Sequence, residues 1–208
     1  MVGLLFAAAC WALWYQSPQD VSQLAFEREL IMDGEWWRLW TAHLTHHKQS
    51  QLIINTVGIA VMGLIAERFA RFWQIGLSLL VAMPVMTGLL LMTVPELLLY
   101  RGAAGVAAMF WMLGVWFLLV EEKRFSLGYW LGFLFLLVFV AMLGMEGFAL
   151  FTAPPGHFSG LKIAMLEQFY GILVGLALFN ALHQIHMTKK GSNPNYRGPY
   201  EKPPERRG

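Results

Sequence analysis

Residues 100–106, Tyr-Arg-Gly-Ala-Ala-Gly-Val, turn a charged, turn-prone segment into a long apolar helix, and chemistry would be expected at that junction. Gly102 and Gly105 carry no Cβ, so the backbone can turn sharply and a neighbouring helix or ligand can come close. A serine at the mouth of such a helix would be a nucleophile; position 104 is alanine and offers only a methyl group. Other reactive types are scattered. His43, His46 and His47 form a cluster in a polar stretch, with spacings that suit imidazole pairs on a metal. His157 and Ser159 lie two apart in a loop, Ser50 heads a helix, and Cys10 sits in the first apolar run. Glu167 falls inside an apolar run, where an ionisable group is a functional candidate by default. For each of these the plain structural reading is the stronger. No cysteine or carboxylate cluster completes a tetrahedral metal site, and a Ser–His pair in a loop recurs by chance. Glu167 lies within two turns of Lys162 near a helix start, which predicts a water-facing carboxylate. No metal and no cofactor are expected.

The elements that must hold these residues are membrane helices. Of 208 residues, 57% are hydrophobic and 13% charged, against roughly 25% charged in soluble domains, and mean hydropathy is +0.52. A net charge of +2 is too small to imply nucleic acid. A single cysteine excludes an internal disulfide and a cysteine-based metal site. Val2 to Tyr15 is apolar but short and lacks the basic start and cleavage site of a secretory signal. Further apolar runs at about 51–66, 72–94, 102–120, 125–145 and 161–186 are each near the roughly 20 residues needed to cross a bilayer. The expected architecture is an all-α membrane protein with six transmembrane helices, residues 1–190 forming one membrane domain. Residues 191–208, rich in proline and charge, read as a disordered tail. The connection over 16–50 contains Trp36, Trp37 and Trp40, whose rings favour the headgroup level.

A pattern across distance resembles the rhomboid intramembrane serine proteases. That family carries a Trp-Arg pair, then a His, then His-x-x-x-Asn on its second helix, Gly-x-Ser-Gly opening the fourth, and a His three residues before Gly-x-x-x-Gly on the sixth. Here Trp37-Arg38, His46, Asn55, the Gly102 and Gly105 frame, Glu67 after the second helix, and Gly171-x-x-x-Gly175 fall in register. The resemblance covers roughly residues 26 to 180, and the Gly34-Glu35-Trp36-Trp37-Arg38-Leu39 start is most similar to the rhombosortase branch. It implies a six-helix rhomboid-like bundle, with His46 organising the first loop and the Gly171 face meeting the fourth helix near Gly105.

The departures fall on the chemistry. Where the resemblance implies a nucleophilic serine there is Ala104, where it implies the base histidine there is Gln168, and where it implies the oxyanion-side histidine there is Gln51. A methyl group cannot attack a carbonyl and a neutral amide cannot take a proton. Asn55 and Gln51 retain amide groups that can donate to a carbonyl oxygen. The reading is therefore a pseudorhomboid that binds a transmembrane client or partner membrane protein without cutting it. The alternatives are a rhombosortase-type protease whose dyad has been replaced and a purely structural membrane subunit. Three replacements, where one would disable an enzyme, favour a native loss. The excess of Lys and Arg at Arg68, Arg71, Lys123, Arg124 and the tail predicts cytoplasmic termini, and the branch resemblance implies a bacterial inner membrane.

Overall fold

The computed structural model describes residues 1–16, 21–152 and 158–192. The elements run α1 (Val2–Trp14), β1 (Phe26–Glu27), α2 (Arg28–Met32), α3 (Arg38–Thr41), a single 3₁₀ turn (Ala42–Leu44), α4 (Gln49–Ala66), α5 (Phe72–Thr93), β2 (Leu99–Tyr100), α6 (Ala104–Val120), α7 (Leu127–Thr152) and α8 (Phe158–Ser192). The chain is all-α in class, since its strand pairing amounts to the antiparallel match of Phe26 with Tyr100 and Glu27 with Leu99. Among the described residues, four helices are long and apolar enough to cross a membrane: α4, α5, α7, and residues Leu161–Leu182 of α8. The other two apolar helices, α1 and α6, are shorter. Gly191 and Ser192 close α8; the remainder of the tail and the Pro154-Pro155-Gly156 loop lie outside the described residues.

Helix α6 forms the centre of the bundle. Gly105, Val106, Met109, Phe110, Leu113 and Phe117 are among its buried residues, on more than one face, because α4, α7 and α8 all pack against it. Glycines set how near those helices come. A Cβ on Gly171 of α8 would stand 2.1 Å from the Gly105 carbonyl oxygen, and one on Gly114 would stand 2.9 Å from Met62 Sδ of α4. Small residues of this kind let membrane helices approach closely where lipid offers no hydrophobic drive between them. Helix α7 is the opposite case: only Gly132 and Phe139 are buried, and Trp130, Leu134, Leu137 and Val140 stay exposed. A helix apolar all round with so little covered suits a hydrocarbon surrounding.

The first loop is tied to this bundle through backbone carbonyls. Arg38 is buried, and its Nε donates to Glu35 Oε2 at 2.6 Å while Nη1 donates to the carbonyls of Ser22 and Ala25 at 3.0 and 2.7 Å. Arg28 donates to the carbonyls of Leu91, in the last turn of α5, and of Val94 and Leu97 just beyond it, a stretch where carbonyls lose helical partners. Pro84 has no N–H, so the Leu80 carbonyl one turn earlier lacks its helical donor. Trp40 Nε1 supplies that donor at 2.8 Å.

Replacing Gly171 by alanine drives a methyl group into a backbone oxygen, and a loss of about 1–3 kcal/mol is expected from such overpacking. Gly144, in α7, has no heavy atom within 4 Å of its built Cβ. Gly144→Ala should therefore be neutral or stabilising by about 0.5–1 kcal/mol. Unfolding midpoints of the two purified variants in one detergent provide the comparison.

Candidate functional site

Helix α6 starts without a side-chain cap, its N-cap residue being Ala103. The first amides of a helix are unpaired and carry its positive dipole end. Glu167 of α8 answers them: its carboxylate faces the backbone N–H groups of Ala104 and Gly105, although Oε2 makes no hydrogen bond of good geometry. This overturns the water-facing carboxylate expected from sequence. Glu167 is 0% exposed, since the Gly105–Gly171 approach leaves no room for water between α6 and α8 and Glu167 stands one turn before Gly171.

The partner of Glu167 is His43, which is likewise 0% exposed. Its Nδ1 lies 3.0 Å from Glu167 Oε1, and its Nε2 lies 3.0 Å from the Met83 carbonyl and 2.8 Å from Thr87 Oγ1. A carbonyl can only accept, so Nε2 carries a proton, and Nδ1 and the carboxyl group share one more. The pair is then neutral as a unit, as a buried ionisable pair must be. Thr87 Oγ1 also donates to the Leu39 carbonyl at 3.0 Å and back to Met83 at 3.1 Å. Hydroxyl, imidazole and carboxylate are thus joined in the order used by hydrolytic triads. Thr87 is only 1% exposed, however, and its proton is directed at main-chain carbonyls, so no substrate carbonyl reaches it.

The three histidines that cluster in the sequence therefore part company. The 3₁₀ turn at Ala42–Leu44 points His43 into the bundle, while His46 turns toward α4, where Asn55 Nδ2 stands 3.4 Å from its Nε2. Burial pushes His46 down to about 4. His47 is exposed by comparison, and its pKa is lowered first by partial desolvation, then by the charges of Arg101 and Lys48.

The remaining sequence-predicted positions divide by helix face. Ala104 is partly exposed at the mouth of α6. Gln168, one residue past Glu167, faces α7, where its Nε2 donates to Glu146 Oε1 at 3.2 Å. Gln51 is exposed on α4, one turn before Asn55. Gly102 donates its N–H to the Ala42 carbonyl at 3.2 Å, and a Cβ there would meet Tyr100 Oη at 2.6 Å. Trp37 is half-exposed and donates to the Gln23 carbonyl at 3.4 Å. Glu67, at the end of α4, accepts from the N–H of Val2 and so anchors the start of α1. Gly175 continues the α6 contact, its Cβ position lying 3.1 Å from the Met109 carbonyl oxygen.

Sequence reasoning missed Thr87, Met83 and Glu146. The first two carried no local signal, since they come into play only because Glu167 meets His43 from 124 residues away. Glu146 was hidden by ending its helix at 145. Comparison with family models gives no match, and comparison with curated proteins gives none either.

Removing one partner of a buried pair strands the other, which costs about 3–5 kcal/mol. His43→Ala and Glu167→Ala should each lose that much, and the double variant should lose less than their sum; denaturation of the four proteins gives the coupling. For His46, the unfolded chain takes a proton near 6.5 and the folded chain only near 4. The folded state binds fewer protons, so stability held above pH 6.5 is lost as pH falls toward 4, by up to roughly 3 kcal/mol. His46→Gln should flatten the stability profile across that window.

Proposed function

We propose that this chain is a catalytically inactive rhomboid-like membrane protein, nearest in its motifs to rhombosortases, which binds a transmembrane segment or partner membrane protein without cleaving it. The observation that carries the reading is the mouth of α6, where chemistry would need a hydroxyl and a base. Ala104 brings a methyl group to that point, Gln168 is hydrogen-bonded to Glu146, and the amides that open the helix already face the Glu167 carboxylate. The close Gly105–Gly171 approach supports the motif register. On this reading α1 and α6 also cross the bilayer, α6 being short because other helices surround it. Both termini are cytoplasmic, and the host membrane is a bacterial inner membrane. Asn55 remains as an amide donor beside the loop, and a bound segment needs no more than such hydrogen bonds and apolar cover.

Loss of nucleophile and base together lowers a serine hydrolase by about 10⁶ in rate. Restoring only the hydroxyl, by Ala104→Ser, should therefore give no labelling with a fluorophosphonate probe, because Gln168 cannot activate it. A photocrosslinker at Asn55 or Ala104 should trap one particular membrane protein. Strong labelling of Ala104→Ser would point to a concealed base and a protease, and recovery of lipid alone would point to a purely structural subunit.

A further inference from the structure

A second pocket, apart from the His43–Glu167 pair, opens between the end of α1 and the turn that bears the histidines. It has a volume of about 220 Å³, with Leu13, Trp14 and Leu44 on its apolar side and His46, His47 and Arg101 on its polar side. Two nitrogens on this wall, His46 Nδ1 and Arg101 Nε, are buried and make no hydrogen bond of good geometry, although the Leu44 backbone lies close enough to the imidazole to act on it. The His46 side chain is 94% buried by its 6% exposure. Asn55 Nδ2 can only donate, so the neighbouring His46 Nε2 accepts and the ring proton sits on Nδ1. Burial keeps that imidazole neutral, while the Arg101 guanidinium brings a planar fork of N–H donors.

Among the described residues no carboxylate lines the pocket, and none pairs with Arg101. His47, lowered first by desolvation, also feels the positive charges of Arg101 and Lys48. A pair of N–H donors without well-formed hydrogen bonds, one of them cationic, fits an oxyanion. The apolar wall fits something attached to it, at the end of an apolar helix whose Leu4, Leu5 and Tyr15 are exposed.

We propose that this pocket binds the phosphate of an anionic phospholipid. The phosphoryl oxygens accept from Arg101 and from His46 Nδ1–H, and the glycerol and upper acyl chain lie along Leu13, Trp14 and Leu44. Such a site would anchor the first loop to the headgroup layer beside the mouth of α6.

The test uses the full chain in neutral detergent, titrated separately with phosphatidylglycerol, phosphatidylcholine and inorganic phosphate, with bound species counted by native mass spectrometry. One phosphatidylglycerol should bind saturably, more tightly than phosphatidylcholine. Arg101→Gln should weaken it at least tenfold, and Arg124→Gln, a basic residue elsewhere on the surface, should leave it unchanged. Leu44→Trp fills the apolar side while keeping the cation, and should weaken binding to a similar extent; it decides the matter if Arg101→Gln does not fold. Equal binding by the wild-type chain and these pocket variants would overturn the proposal. Saturation by inorganic phosphate with none by phosphatidylglycerol would overturn it too, by making the ligand a free oxyanion.

Discussion

A carboxylate with no exposure to solvent must be answered from within the protein, and the answer given to Glu167 organises this bundle. His43 meets it from the 3₁₀ turn, α6 meets it with its first amides, and α5 holds the far side of the imidazole through Met83 and Thr87. Four separate pieces of chain are brought to one point by a single shared proton. A buried pair of this kind is weak as a source of net stability, because desolvation offsets most of the attraction. Its stronger effect is on arrangement, since any register that separates the partners leaves a charge or an orphaned ring in an apolar interior.

The glycines make that convergence geometrically possible. With Gly105 and Gly171 in backbone contact, the Glu167 side chain is pressed against the start of α6, its Cγ standing 2.7 Å from where a Gly105 Cβ would be. Bulk at either glycine would separate the helices and open the pair to lipid or water. Packing and electrostatics are thus one constraint here. On the proposed reading, a place suited to breaking a peptide bond has become a place closed by its own carboxylate, with room for recognition left at Ala104, Asn55 and the first loop.

The loop obeys similar physics at lower stakes. Arg38 and Arg28 direct guanidinium groups at main-chain carbonyls, and Trp40 supplies the donor that Pro84 withholds from Leu80. Polar side chains here mostly satisfy backbone groups, as expected where helices end or break in an apolar setting. Among the described residues six buried side-chain atoms lack a partner, and two of them, Arg101 Nε and His46 Nδ1, line one pocket.

Most helix limits could be read from the chain alone. The runs at 51–66, 72–94 and 102–120 became Gln49–Ala66, Phe72–Thr93 and Ala104–Val120, because length of apolar run and turn-forming residues are local properties. The run ending at 145 extends to Thr152, and Gln168 of α8 gives the Glu146 carboxylate a partner there. The small residues at 102, 105, 171 and 175 were legible as sites of close approach for the same local reason: a missing side chain is visible in sequence. What only the tertiary structure decided was where the polar groups point. Whether Glu167 faces water or His43, whether Gln168 turns to α6 or α7, and whether three neighbouring histidines gather or separate all depend on rotations of one helix against another. Those rotations are set by packing between segments from 22 to 124 residues apart, which no local pattern records.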